Sequence, residues 1–166
     1  MRIAVLLALS VSGVCLAGSQ TPAEPFEQLQ ALAGEWQADL AGYGQILDSI
    51  RLVSKGTAVE ETLGTAGDNE VSLYTRDGKR LLLTHFCALT ADGHVARLET
   101  GALQGSPAEL TFTLASLSNL STEAAPHMRR VVITFIDRDH FRERWTKTEK
   151  GVDAVFDLLF ARRPTS

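Results

Sequence analysis

The side chains able to do chemistry in this sequence are few and widely spaced. Histidines stand at 85, 94, 127 and 140, a cysteine at 87, and glutamates at 61 and 143 within alternating stretches. A neutral imidazole at His85, flanked by apolar residues, suits anchoring a ligand, coordinating a metal or haem, or acting as a base. It equally suits a core histidine satisfied by Glu61, Tyr74 or backbone. Glu61 with Glu143 is the kind of carboxylate pair whose environments can split two pKa values into acid and base roles, while the alternative is that either acid pairs with an arginine such as Arg97. His127 follows the polar stretch 116–126 and stands either over a barrel mouth near Asn119 or in solvent. His94 and His140 adjoin turns and are expected to be exposed. The histidine spacing gives no linear zinc signature, no nucleophile elbow surrounds a serine or cysteine, and no glycine-rich phosphate loop occurs. Neither a catalytic residue nor a metal ligand set is assigned.

The elements that position these side chains are strands. Phe26, Leu29 and Leu32 or Ala33 recur at helical spacing and end at Gly34, predicting a helix of two or three turns, too short to stand alone. From Gly34 onward apolar residues alternate, and turn chemistry recurs about every ten residues at 54–57, 76–79, 91–94, 137–140 and 149–152. About ten strands follow, near 34–40, 46–54, 57–63, 70–75, 80–87, 95–100, 109–115, 127–136, 140–147 and 152–161. The fold class is therefore all-β, and a closed antiparallel meander barrel is preferred to a sandwich because closure removes exposed edges. The short helix would cover one end.

Period 2 puts Leu81, Leu83, His85 and Cys87 on one face and groups Val59, Glu61 and Leu63; Phe141, Glu143 and Trp145 also fall together. If the apolar face is inward, His85, Glu61 and Glu143 go inward with it and need partners or a cavity. Arg51, Arg97, Arg129, Arg142 and Arg144 read as outward charges.

The first residues carry Arg2, an apolar run from Ile3 to Leu9, and small residues near 15–18, the pattern of a signal peptide cut after Ala17. Lipid anchoring at Cys15 is the alternative. The expected organisation is a signal peptide over 1–17, a linker over 18–25 and a single domain over 26–163. The expected location is periplasmic or secreted, with no transmembrane segment in the mature chain. Loss of Arg2 moves the formal charge from −4 to −5. A mildly acidic chain without a basic stripe argues against nucleic acid. Cys87 is then left without a partner for a disulfide.

Leu32-Ala33-Gly34-Glu35-Trp36 resembles the Gly-x-Trp opening of calycin barrels. The ordered series Phe26–Trp36, Val59–Leu63, Tyr74–Leu81, Leu83–Cys87 and Thr134–His140 followed by Trp145 resembles a DUF1579-type, lipocalin-like family of small exported bacterial proteins of unknown function. That resemblance implies a barrel fold and no established activity. A ten-stranded type of this broad class, nitrobindin, holds haem through a histidine, but its Gly-x-Trp-x-Gly-x-Gly pattern is missing, since Gln37–Ala41 precede Gly42.

The leading expectation is a barrel binding a small hydrophobic or amphipathic molecule, with Glu61, Tyr74, His85, Cys87, Trp145 and His127 as candidate ligand-binding residues. The alternatives are a haem- or metal-binding barrel using His85 or His127, an enzyme using a His85/Glu61 pair, and a structural envelope protein with a filled barrel.

Overall fold

The computed structural model describes residues 24–65, 68–90, 93–122 and 124–164; the expected signal peptide lies outside them. The chain forms one short helix, α1 (Pro25–Ala31), and ten strands: β1 (Gly34–Leu40), β2 (Gly44–Val53), β3 (Ala58–Thr65), β4 (Asp68–Asp77), β5 (Arg80–Cys87), β6 (His94–Glu99), β7 (Glu109–Ser118), β8 (His127–Asp137), β9 (His140–Glu149) and β10 (Val152–Arg162). Each strand pairs antiparallel with its sequence neighbours, and β1 pairs with β10, so the meander closes into a barrel. The closing seam is short, formed by Trp36 opposite Arg162 and Gln37 opposite Ala161. No described helix is long and apolar enough to cross a membrane.

Alternation does what the sequence pattern requires. On β5 the burial of Leu81, Leu83, His85 and Cys87 interleaves with less buried neighbours, and on β9 Phe141, Glu143 and Trp145 interleave with exposed arginines. At the β9–β10 turn Lys150 and Gly151 both have positive φ, 50° and 76°, the backbone that a two-residue hairpin loop needs to match strand twist. A β-bulge falls between Arg97 and Leu98 opposite β7. It leaves Ala115 without an opposite residue and passes the inward position from Leu114 to Leu117.

Helix α1 has seven residues and persists through tertiary contacts. Gln30 Nε2 donates to Gly56 O at 2.8 Å, Gln28 Nε2 donates to Pro107 O at 3.0 Å, and the Arg76 guanidinium lies 4.6 Å from the centre of the Phe26 ring. These contacts hold the helix over the end formed by the β2–β3, β4–β5 and β6–β7 connections. Gly34 matters there because a side chain on it would collide with Arg162. Arg162 stacks 3.9 Å over Trp36 and donates to Ala33 O at 3.0 Å, locking β10 against the start of β1. Trp36 Nε1 donates to Leu32 O at 2.8 Å. Trp36, Phe112, Phe141 and Phe160 are completely buried and fill the interior. The opposite end carries the β1–β2, β3–β4, β5–β6, β7–β8 and β9–β10 connections, and among the described residues no helix lies over it.

Candidate functional site

Two polar groups lie inside this apolar wall. The first is at the waist, where β2, β3, β4 and β9 turn Asp48, Glu61, Tyr74 and Glu143 inward, all nearly solvent-free. Tyr74 Oη donates to Glu61 Oε2 at 2.8 Å and Trp145 Nε1 donates to Glu143 Oε2 at 2.7 Å. Among the described residues neither Asp48 oxygen has a hydrogen-bond partner. Burial, then the charge of Glu61, pushes both Asp48 and Glu143 well above the usual carboxylate range. Burial with the charges of Glu61 and Glu143 raises Tyr74 as well. Arg97, an alternative partner for these acids that also read as an outward charge, is exposed and donates to Ser118 Oγ at 3.0 Å. With no cation beside them among the described residues, Asp48 and Glu143 favour their protonated, neutral forms.

The second group lies toward the uncapped end. The His85 ring packs 4.7 Å from the Trp145 ring, and its Nδ1 is 3.1 Å from Ser72 Oγ. Its Nε2 is 3.3 Å from Glu70 Oε2, yet the two are not aligned for a hydrogen bond. The other Glu70 oxygen accepts from Cys87 Sγ at 3.3 Å and from the Ala88 N–H at 2.8 Å. Burial works to raise the Glu70 pKa, but His85, the Ala88 amide and Cys87 together bring it below its ordinary value. The Cys87 thiol is pushed up to about 12, first by burial and then by the Glu70 charge. Directly opposite Cys87 on β6 stands His94, 3% exposed, with neither ring nitrogen hydrogen-bonded among the described residues. Burial lowers the His94 pKa, with His85 and His127 adding to the effect.

Glu61 and Tyr74 are thus brought together, as are His85, Cys87 and Trp145. His85 and Glu61 are not: Glu61 lies opposite Ser72, and Ser72 lies opposite His85. Glu61 instead takes the Tyr74 hydroxyl and His85 faces Ser72 and Glu70, so among the described residues no hydrogen bond joins His85 to Glu61. His127 is covered at the rim, with Nδ1 2.9 Å from Ala125 O. A bulge at Arg129 sets Met128 opposite Lys147 and His127 opposite Thr148, off the row that carries Trp145. His94, expected at the surface, is buried because it is in phase with Cys87 across the hairpin. His140 is exposed as expected and meets Asp137.

Sequence reasoning passed over Asp48, Glu70 and Ser72. Asp48 shares its face with Ile46 and Ile50, and Glu70 and Ser72 share theirs with Tyr74, so alternation carried the signal.

Haem does not fit His85. One ring nitrogen faces Ser72, the other faces Glu70, and the ring lies against Trp145, so a macrocycle approaching either nitrogen meets a side chain. Beside the second group, a cleft of about 540 Å³ opens under the β5–β6 connection, lined by Phe86, Cys87, Ala88, Thr90, His94 and Val95 among others.

No protein-family model matches the chain, and no curated protein matches it in sequence.

Proposed function

We propose that this barrel binds a small amphipathic molecule at its uncapped end, in the cleft beside Cys87 and His94. One observation carries the reading: a buried imidazole with two unpartnered nitrogens borders a cleft with apolar walls. A buried polar group without a partner costs about 1–3 kcal/mol, and a ligand that hydrogen-bonds it recovers that cost. Phe86, 45% exposed, and Val95 supply the apolar side. The cleft volume of about 540 Å³ suits a small ligand. Fully buried aromatic rings occupy the middle of the barrel, which favours a ligand at the rim over one in the centre.

Native mass spectrometry of the gently purified protein tests this. The expected result is an adduct that disappears in His94→Leu; a bare polypeptide mass for the wild type overturns it. The same bare mass favours the second reading, a filled barrel acting through its outer surface, which rests on the aromatic packing of the interior.

A further inference from the structure

We propose that Glu70, His85 and Cys87 bind one divalent metal ion of the zinc class. The inference rests on the reading of the uncapped end as the binding site and names a constituent of it. A carboxylate oxygen, an imidazole nitrogen and the cysteine sulfur lie within 4.8 Å of one another. Ligand atoms around a tetrahedral zinc ion stand roughly 3.4 Å apart, given metal–ligand distances of about 2.0–2.3 Å. Glu70 Oε2 stands 3.3 Å from His85 Nε2, already close to that spacing, and the other oxygen, Oε1, stands 3.3 Å from Cys87 Sγ.

The donor types select the ion. Thiolate and imidazole suit zinc, cobalt and their neighbours, whereas calcium and magnesium require oxygen ligands. Charge balance favours the same choice: a dication held by one carboxylate, one thiolate and one neutral imidazole leaves a net charge of zero. Burial tolerates that far better than an isolated charge.

The supporting contacts are also present. Ser72 at Nδ1 can fix the tautomer that leaves the His85 Nε2 lone pair free. The Ala88 amide holds one Glu70 oxygen and leaves the other facing His85. His85 Nε2 itself is solvent-free and has no hydrogen-bond partner. Binding exchanges the Cys87 S–H bond for a sulfur–metal bond, and the proton leaves to solvent. Three protein ligands leave a fourth position for water or for the polar end of a molecule in the cleft, as in open zinc sites.

Titration of the full, reduced chain with Co²⁺ tests the proposal by visible and near-ultraviolet absorption. One equivalent should bind and give a thiolate-to-cobalt charge-transfer band. Cys87→Ser should remove the band. His85→Ala and Glu70→Gln should each weaken binding by more than the ~10–100-fold that loss of a supporting residue costs. Glu70→Gln, at a partly exposed position, keeps the test independent of folding, with circular dichroism as the check. His140→Ala, at the exposed Asp137 contact, should leave the titration unchanged. The absence of a charge-transfer band, or a titration unchanged in His85→Ala and Glu70→Gln, overturns the proposal. An organic adduct in the mass spectrum without cobalt binding removes the metal and leaves the ligand-binding reading intact; cobalt binding without an adduct does the reverse.

Discussion

The two ends of the barrel treat buried polar groups in opposite ways. At the helical end they join elements: Trp36 donates to the carbonyl of Leu32, Arg162 reaches Ala33, and Gln30 reaches Gly56. Among the described residues, Gln28 Oε1 is the buried polar atom left over there. From the waist to the uncapped end, Asp48, His85 Nε2 and both nitrogens of His94 lack partners. Such groups are rare in native proteins because each costs stability. Their concentration in one half is what the proposed binding reading uses, with the other half supplying the stability that tolerates them.

The largest effect should come from the helical end. Trp36→Ala removes a completely buried indole, its hydrogen bond and the stacking surface of Arg162. Urea denaturation should show a loss of ~3–5 kcal/mol; a loss below about 1 kcal/mol would mean that this end does not carry the fold.

The waist and the rim should differ in the sign of their pH dependence. Glu143 titrates above its ordinary 4.5 in the folded state, so its contribution is complete below that value and is lost as pH rises toward the folded pKa. The loss is ~1.4 kcal/mol per pH unit for such a group. Glu70 titrates below 4.5, so its contribution is present above that value and is lost as pH falls through the lowered pKa. Stability measured against pH should therefore fall less steeply above 4.5 in Glu143→Gln than in the wild type, and less steeply toward acid in Glu70→Gln. Identical slopes in wild type and Glu143→Gln would remove the waist from the account.

His94→Leu should raise the denaturation midpoint, by about 1 kcal/mol, because an unpartnered buried imidazole gives way to an apolar side chain. A loss of similar size would show that His94 has a structural partner. The smallest effect belongs to Phe86→Ser, which should stay within about 0.5 kcal/mol because the ring is substantially exposed, while weakening any adduct held in the cleft.

Most of the barrel was legible in the sequence because alternation and hairpin turns are local signals. Strand phase alone placed Glu61, His85, Cys87 and Glu143 inside. Which of these meet depends on stagger between strands, a non-local quantity. That is why His85 faces Glu70 and Ser72 rather than Glu61. His127 is covered at the rim rather than in solvent, and the bulge at Arg129 that sets its register had no pattern in that segment to announce it. His94 looked exposed because it flanks a turn, although its phase relative to Cys87 fixed it inward. Asp48 was passed over despite sitting between Ile46 and Ile50, since an acid is so seldom fully buried.

The most direct test of the metal site proposed at the uncapped end is the ¹⁵N spectrum of the histidine rings before and after one equivalent of Zn²⁺. The expected result is a large shift of the His85 ring nitrogens with His140 unmoved. Unchanged His85 signals, or a response confined to His140 at the opposite end, would contradict it.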